Sequence, residues 1–225
     1  MADSLQPHEQ TRPRHIGVIP CRWGSTRFPG KPLALLAGKP LIWHVYQRCT
    51  QAQRLTETVV ATDDERIERA CRQLDIPCVM TSVHPTGTDC VAECADKISA
   101  DGYINVQGDE PFIAPAAIDA VSEALQHLSG NAAAVNAYSE RTDISAVLDH
   151  NVVKVVLSIH SKALLFSRQP IPYPKDRRPT YLRQLGLYGF TVEGLRLFIA
   201  LPQGNAGRTA GTCHPSRPWI SASSA

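Results

Sequence analysis

Residues 16–31 decide the fold of this chain, and they read Ile16-Gly17-Val18-Ile19-Pro20-Cys21-Arg22-Trp23-Gly24-Ser25-Thr26-Arg27-Phe28-Pro29-Gly30-Lys31. The apolar start predicts a buried strand, which ends at a proline and opens into a glycine-bearing loop. Three cations of this loop, Arg22, Arg27 and Lys31, lie four to five residues apart, so a curled loop turns them toward one point. Such cations repel one another unless an anion lies among them, and guanidinium groups match phosphate oxygens.

Other residues of this loop favour a bound polyphosphate over a solvated basic turn, which is what most short charge clusters are. Ser25 lies between the cations, and Gly24 and Gly30 allow the backbone to approach a ligand closely. In a loop that follows a strand, backbone N–H groups add to the field that attracts an anion. The loop therefore predicts a polyphosphate site.

The composition is that of a soluble globular protein with one domain. The chain has 225 residues, of which 43% are hydrophobic and 20% charged, and this length is enough for a sizeable core. A net charge of +2 gives no reason to expect a nucleic acid or a membrane surface as partner. No apolar stretch approaches the roughly 20 residues that a transmembrane helix needs.

The cysteines and the N-terminus predict a cytoplasmic protein. The seven cysteines are scattered and form no Cys-x-x-Cys pair, and their odd number favours reduced thiols. Residues 1–14 are polar and lack the apolar core of a secretory signal. We expect them to form a disordered N-terminal extension.

Short apolar strands alternate with helical patterns up to residue 137. The predicted strands are Thr58–Ala61, Pro77–Met80, Gly102–Val106 and Ala132–Ala137, and the predicted helices are Pro40–Thr50, Glu65–Leu74, Thr88–Ser99 and Ala114–Leu128. This alternation predicts an α/β fold with a mostly parallel, Rossmann-like sheet and helices on both faces. Ligands of such sheets bind beyond the carboxyl ends of the strands.

The pattern changes after residue 150. Val152–Ser158 and Ala163–Ser167 predict an antiparallel hairpin, which the proline-rich segment 170–179 follows as an ordered loop or an arm. A last strand at Leu185–Thr191 and a helix at Val192–Leu201 are then predicted. The hairpin and arm are thus an antiparallel addition to the parallel sheet.

A carboxylate follows the predicted strand 102–106, in the segment Gln107-Gly108-Asp109-Glu110-Pro111. An aspartate beside glycine is usually a turn residue. Here the loop leaves its strand at the same sheet edge as the cation loop, which favours a role for Asp109 as an Mg²⁺ ligand. A metal that bridges phosphate oxygens beside fixed cations is the arrangement used in phosphoryl and nucleotidyl transfer.

Further motifs accompany these two loops. They are Val60-Ala61-Thr62-Asp63, Met80-Thr81-Ser82, His84 to Asp89, Asn105-Val106-Gln107-Gly108-Asp109-Glu110-Pro111, Asn151–Leu157, Phe166-Ser167-Arg168 and Leu185-Gly186-Leu187-Tyr188-Gly189-Phe190. On these residues the chain resembles the 3-deoxy-manno-octulosonate (Kdo) cytidylyltransferases, a family of the sugar nucleotidyltransferase superfamily, over about residues 15–201. The segments 105–111 and 151–157 are distinctive of that family, whereas the cation loop is shared more widely.

The resemblance implies a nucleotidyltransferase fold and a reaction. CMP would be transferred from CTP to Kdo, which gives CMP-Kdo and pyrophosphate for lipopolysaccharide biosynthesis. The matching positions imply that Arg22, Ser25, Arg27 and Lys31 bind the CTP phosphates, that Arg22, Lys31 and Asp109 are catalytic, and that Asp109 binds Mg²⁺. They also place Gln107, Arg168, Gln184 and Tyr188 on the sugar side, with Arg168 as the candidate for the carboxylate of Kdo. An arginine at a strand end is otherwise more often a surface residue.

The chain departs from the family pattern at two positions and in its last residues. Cys90 stands where the family usually has a basic residue, and Gln184 stands where it usually has histidine. We divide the chain into the extension 1–14, a nucleotidyltransferase domain 15–203 and an atypical tail 204–225, in which we expect no helix or strand. The composition of the tail favours a segment without selected structure, as a shifted reading frame or a truncated gene would give.

Two alternatives to an active Kdo enzyme follow. A tail of this kind would lack the family's second Mg²⁺ ligand, so the chain could be an impaired relative that binds nucleotide or pairs with another subunit. Another sugar nucleotidyltransferase, such as a CMP-sialate synthetase, fits the cation loop but not residues 105–111. The resemblance also implies a homodimer through the hairpin, although its apolar residues are equally compatible with packing on the chain's own sheet.

Overall fold

The computed structural model describes residues 12–24, 28–128, 134–173 and 180–200, together with the main chain of 219–223. Its helices are α1 (Leu41–Thr50), α2 (Glu65–Gln73), α3 (Gly87–Lys97), α4 (Pro115–Gln126), α5 (Ile144–Leu148) and α6 (Val192–Ala200). Its strands are β1 (His15–Cys21), β2 (Leu35–Leu36), β3 (Lys39–Pro40), β4 (Glu57–Thr62), β5 (Cys78–Met80), β6 (Gly102–Val106), β7 (Ala134–Arg141), β8 (Lys154–Leu157), β9 (Lys162–Ser167), β10 (Tyr181–Thr191) and β11 (Trp219–Ser223). A 3₁₀ turn spans Lys31–Leu33.

Nine of these strands form one sheet in the order β5-β4-β1-β6-β10-β7-β11-β9-β8, and β2 pairs with β3. Strand β1 pairs in parallel with β4 and β6, and β4 pairs in parallel with β5. Each connection between these strands contains a helix, as parallel pairing of sequential strands requires. The predicted α/β fold with a mainly parallel central sheet is therefore confirmed.

Two hydrophobic cores cover the two faces of the parallel strands. Ile19 lies in one core with residues of α1, α2 and α4. Its neighbour Val18 lies in the other core with residues of α3 and α6. Because β1 is buried on both faces, its sequence is a continuous apolar run rather than an alternating one.

Strand β10 lies between β6 and β7 and is antiparallel to both. Its pairing with β7 changes register between Gln184 and Tyr188, which marks a β-bulge. The buried side chain of Asn136 stabilises this irregularity, because its Nδ2 donates to the main-chain oxygens of Leu185 and Leu187 at 3.1 and 2.9 Å. The bulge places the polar residues of β10 beside the end of β6.

The predicted hairpin is confirmed as the antiparallel pair β8–β9, in which Lys154 is opposite Ser167. The start of β10 also pairs with β8, through Arg183 and Lys154. Strand β10 therefore joins the hairpin to the parallel half of the sheet. The arm after the hairpin is described as far as residue 173, and residues 174–179 of the predicted segment lie outside the described part.

The expectation that the tail holds no strand is wrong for its last residues. Strand β11 pairs in parallel with β7 and antiparallel with β9, so it covers the edge of β7. A segment of five residues is too short for its periodicity to separate a strand from a loop, which is why the pattern was uninformative. The other residues of 204–225 lie outside the described part.

The described structure begins before the predicted start of the domain at residue 15. Arg14, the last residue of the predicted extension, is held in place, since its main-chain N donates to Asp101 at 2.7 Å and its Nη2 to Glu57 at 3.1 Å. Residues 1–11 lie outside the described part.

No helix within the described ranges is long and apolar enough to cross a membrane.

Candidate active site

Lys31 and Asp109 meet at the carboxyl ends of β1 and β6. These neighbouring parallel strands are in register from His15 and Gly102 onward, so the loops that follow them leave the sheet side by side. The Nζ of Lys31 donates to Oδ2 of Asp109 at 2.7 Å, and both side chains are partly exposed. The structure thus joins the cation loop to the acidic loop, as the sequence analysis predicts for two loops at one sheet edge.

Glu110 is a further acidic group of this site that the sequence analysis did not single out. Burial raises the pKa of its carboxyl, and the neighbouring charge of Asp109 raises it further, whereas Arg183 and Lys31 lower it. Two carboxyl groups and two cations therefore lie within electrostatic reach of one another. Glu110 packs close to the bulge of β10, since a Cβ on Gly186 would lie 3.6 Å from Cγ of Glu110.

Arg22, at the start of the cation loop, contacts a different loop from Lys31. Its Nη1 donates to the main-chain oxygens of Pro85 and His84 at 2.9 and 3.4 Å, which belong to the loop between β5 and α3. Two carbonyl groups hold the guanidinium, and no carboxylate pairs with it within the part of the chain that the structure describes. The cation therefore remains available to an anion.

Glu93 of α3 holds the loop that carries these carbonyl groups. Its Oε2 accepts hydrogen bonds from the main-chain N of Ser82 at 2.9 Å and contacts Nε2 of His84 at 2.5 Å. Lys97 donates to its Oε1 at 2.7 Å, and hydrogen bonds from Lys97, Ser82 and His84 lower the pKa of Glu93 to about 2. The hydrogen bonds of the ionised Glu93 therefore contribute fully to the free energy of unfolding at neutral pH. This contribution is lost as the pH falls from about 4.5 toward 2.

The cation loop is closed where it enters the 3₁₀ turn. Gly30 N donates to the main-chain oxygen of Trp23 at 3.0 Å, and Gly30 has φ 71°, a conformation that favours glycine. The 3₁₀ turn that starts at Lys31 follows directly. Ser25 and Arg27, the other predicted phosphate ligands, lie outside the described residues.

Three of the predicted sugar-side residues lie around the end of β6 and the bulge of β10. Gln107 N donates to the main-chain oxygen of Gly186 at 3.1 Å, and a Cβ on Gly186 would lie 2.8 Å from Cγ of Gln107. The amide of Gln184 donates to the hydroxyl of Tyr188 at 2.5 Å. Tyr188 is opposite Asn105 of β6 in the register. The structure therefore brings Gln107, Gln184 and Tyr188 to one region beside the acidic loop.

Arg168, the fourth sugar-side candidate, lies at the end of the hairpin. Its Nη1 donates to the main-chain oxygen of His150 at 2.7 Å. The main-chain oxygen of Arg168 in turn accepts a hydrogen bond of 3.0 Å from Nζ of Lys154. Gln184 N donates to Val153, next to Lys154, so the end of the hairpin and the polar part of β10 are adjacent in the sheet.

Lys154 is buried, has no carboxylate partner among the described residues, and was not singled out in the sequence. Its side chain is 1% exposed, and its Nζ donates to the main-chain oxygens of Asp149 and Val152 at 2.8 and 2.9 Å as well as to Arg168. Burial lowers the pKa of Lys154, whereas the charge of Asp149 raises it. The position of Lys154 inside the family-like segment 151–157 could have pointed to a special role. Residue type alone, however, predicts that a lysine in a hairpin strand is exposed.

The acidic loop has the donor chemistry that Mg²⁺ requires. Mg²⁺ is usually held by one or two carboxylates together with substrate phosphates and water. Asp109 is partly exposed, contacts Lys31, and is the sequence neighbour of the half-buried Glu110. One carboxylate in contact with the cation loop fits this ion, whereas a cage built wholly from protein ligands is not found among the described residues.

Known proteins are similar to this chain in sequence and in fold. A family model described as cytidylyltransferase matches residues 16–204. A 3-deoxy-manno-octulosonate cytidylyltransferase of Thermodesulfovibrio yellowstonii is 39% identical over 203 residues, which covers 83% of this chain and 79% of the relative. The chain belongs to the 3-deoxy-manno-octulosonate cytidylyltransferase family. A member of this family from Anaeromyxobacter dehalogenans is 44% identical over 196 residues, which covers 85% of this chain and 79% of the relative.

A solved structure of the family supports the fold as well. It is described as CMP:2-keto-3-deoxy-manno-octonic acid synthetase complexed with CTP, and it matches with a TM-score of 0.86 at 32% identity over 94% of this chain and 90% of that chain. The resemblance on which the sequence analysis rests is confirmed. As a member of the 3-deoxy-manno-octulosonate cytidylyltransferase family the chain is a nucleotidyltransferase, and the family favours Kdo over the sialate alternative.

Proposed function

We propose that this chain transfers CMP from CTP to Kdo and releases pyrophosphate. The observation that carries the proposal is the contact of Lys31 with Asp109, which joins a phosphate-binding loop to a metal-binding carboxylate at one sheet edge. The match to the Kdo cytidylyltransferases along most of the chain supports the choice of both substrates.

Arg22 and Lys31 bind the triphosphate of CTP, together with Ser25 and Arg27 by resemblance. Both described cations are fixed before the nucleotide arrives, Arg22 by carbonyl groups and Lys31 by Asp109. Cations fixed in advance stabilise the charge that develops on the leaving pyrophosphate without further reorganisation. We assign Arg22 and Lys31 the electrostatic part of catalysis.

Asp109 would hold Mg²⁺ together with the phosphate oxygens of CTP. When bound, the ion neutralises phosphate charge and orients the α-phosphate for attack. Asp109 also holds the ammonium group of Lys31, so the carboxylate aligns the cation with the metal position. The carboxylate therefore links the two positive groups that face the triphosphate.

Gln107, Gln184, Tyr188 and Arg168 would bind Kdo beside this centre. Amide and hydroxyl groups suit the hydroxyls of a sugar, and a guanidinium suits its carboxylate. The anomeric hydroxyl oxygen of Kdo forms a bond to the α-phosphorus, the bond from that phosphorus to the pyrophosphate oxygen breaks, and the hydroxyl proton passes to water. The products are CMP-Kdo and pyrophosphate.

The test is release of pyrophosphate by the purified full chain. We expect release with CTP, Mg²⁺ and Kdo present, and loss of the signal when any one of them is left out. N-acetylneuraminate in place of Kdo, and UTP in place of CTP, are expected to give much slower release. A folded chain that binds CTP but releases no pyrophosphate with Kdo would contradict the proposal and indicate an impaired relative.

We also propose that the chain forms a homodimer through the hairpin β8–β9. Large apolar side chains are exposed there, including Ile159 at 95% and Leu164 at 61%. A second copy of the same face would cover them.

Light scattering tests this interface. It is expected to give the mass of a dimer for the wild-type chain and the mass of a monomer for Leu164→Asp. Leu35→Asp is the control and should stay dimeric, because Leu35 is also exposed, at 74%, but lies on the separate sheet β2–β3. A wild-type monomer at working concentration would refute this interface.

The thiols support a cytoplasmic location. The described cysteines Cys21, Cys49, Cys71, Cys78, Cys90 and Cys94 are all free. Free thiols in this number are typical of a reducing compartment. We therefore place the protein in the cytoplasm.

A further inference from the structure

Trp23 and Gly30 form the neck of the cation loop. Besides the hydrogen bond between their main chains, a Cβ on Gly30 would lie 2.8 Å from Cη2 of Trp23, so the edge of the indole ring lies against the glycine. Arg22 directly precedes the neck, and Lys31 directly follows it. The packing of Trp23 on Gly30 therefore sets the spacing between these two cations.

Arg66 covers the face of the same indole ring. Its guanidinium carbon lies 3.5 Å from the ring centroid of Trp23, which is a close cation–π contact. Arg66 belongs to the first turn of α2, and α2 is anchored in the core through Ile67. The ring of Trp23 is thus held between a rigid helix and the glycine of the neck.

Asp64 keeps the guanidinium of Arg66 in this position. Nε of Arg66 donates to Oδ1 of Asp64 at 2.9 Å, and Nη2 donates to Oδ2 at 2.6 Å, which is a two-bond pair. Asp64 is also the N-cap of α2, since its Oδ1 accepts from the main-chain N of Arg66 at 2.9 Å. The side chain of Arg66 is therefore oriented by its own helix before any ligand binds.

We propose that Arg66 is a positioning residue for the nucleotide, which acts through Trp23 on the neck of the cation loop. Two cations brought near one another repel, so the conformation that binds a triphosphate is costly without an anion. The contact of Arg66 with Trp23 stabilises that conformation in the free protein. Its loss lowers the affinity for nucleotide and leaves the chemical step almost unchanged, because Arg66 does not contact the reacting atoms. This inference rests on the proposed function.

Steady-state kinetics and CTP titration calorimetry of the full chain with Mg²⁺ test the inference. Arg66→Leu and Trp23→Leu are each expected to raise both KM and Kd for CTP about tenfold, with kcat and KM for Kdo changed less than about threefold. Arg66→Lys keeps a cation over the ring but loses the two-bond pair with Asp64, so it should give an intermediate KM. The double variant should be no worse than Trp23→Leu alone, since that variant already removes the ring through which Arg66 acts.

Arg72→Leu is the matched control, because Arg72 lies in the same helix and pairs with Glu68 on its exposed surface. It is expected to keep the wild-type KM for CTP. Wild-type CTP affinity in Arg66→Leu, multiplying effects in the double variant, or an equal rise of KM for both substrates would overturn the inference. A wild-type chain that neither binds CTP nor turns over would instead refute the proposed function, so the two failures are distinguishable.

Discussion

Asp109→Asn is expected to lower kcat for pyrophosphate release about 10³-fold, while the chain remains folded. Asparagine keeps the shape of the side chain and can still accept a hydrogen bond from Lys31. It loses the negative charge that would bind Mg²⁺ and orient the Lys31 ammonium group. Loss of a metal ligand removes several kcal/mol of transition-state stabilisation, and about 4 kcal/mol corresponds to this factor.

The measurement is pyrophosphate release at saturating CTP and Kdo, with Mg²⁺ titrated. A higher Mg²⁺ requirement in the variant would accompany the loss of kcat, since a metal ligand has been removed. Stability should change little, because an exposed ion pair such as Lys31–Asp109 contributes about 0–1 kcal/mol. Asp96→Asn, an exposed aspartate in the last turn of α3, is the control and should keep wild-type turnover. Turnover within tenfold of wild type in Asp109→Asn would exclude a catalytic role for this carboxylate.

Lys154→Met is expected to lower the free energy of unfolding by about 3 kcal/mol. Methionine fills a similar volume but leaves the main-chain oxygens of Asp149, Val152 and Arg168 without their donor. Part of that cost is offset, since a buried cation no longer needs to be desolvated. The melting temperature should fall by about 6–12 °C for a domain of this size.

Urea unfolding and thermal melting measure this effect, and Lys162→Met is the control, since Lys162 is an exposed lysine on the same hairpin. A second readout follows from the contact with Arg168. Because Lys154 holds the main chain of Arg168, the variant should raise KM for Kdo more than KM for CTP. An unchanged free energy of unfolding in Lys154→Met would mean that the hydrogen bonds of this lysine do not stabilise the hairpin.

The parallel half of the fold was predictable because its signals are local. Continuous apolar runs mark strands that are buried on both faces, and helices α1 to α4 show an apolar side at the helical period. The antiparallel half was predicted less well. The start of β10 was missed because Arg183 and Gln184 are polar, and they form a strand through pairing with β7 and β8. The five-residue helix α5 and strand β11 are too short for a periodic pattern to identify.

The candidate site was likewise predictable from the sequence only in part. The meeting of Lys31 with Asp109, 78 residues apart, was predictable from the rule that loops at the carboxyl ends of parallel strands lie together. The stacking of Arg66 on Trp23 was not, since it depends on rotamers and on the direction in which α2 begins. The burial of Lys154 was likewise hidden, because residue type alone predicts exposure for lysine.

Strand β10 separates two parts of the molecule that can vary independently. Its carboxyl half pairs with β6, next to the strand that leads into the cation loop, whereas its amino half pairs with β8 of the hairpin. Three of the four residues proposed to recognise the acceptor sugar, Arg168, Gln184 and Tyr188, thus lie on β10 or at the end of the hairpin, whereas Gln107 and the residues proposed for the donor nucleotide lie on the side of β6 and β1. Exchange of β8 to β10 for the same segment of a relative is therefore the natural route by which this scaffold would acquire a new acceptor while keeping its donor.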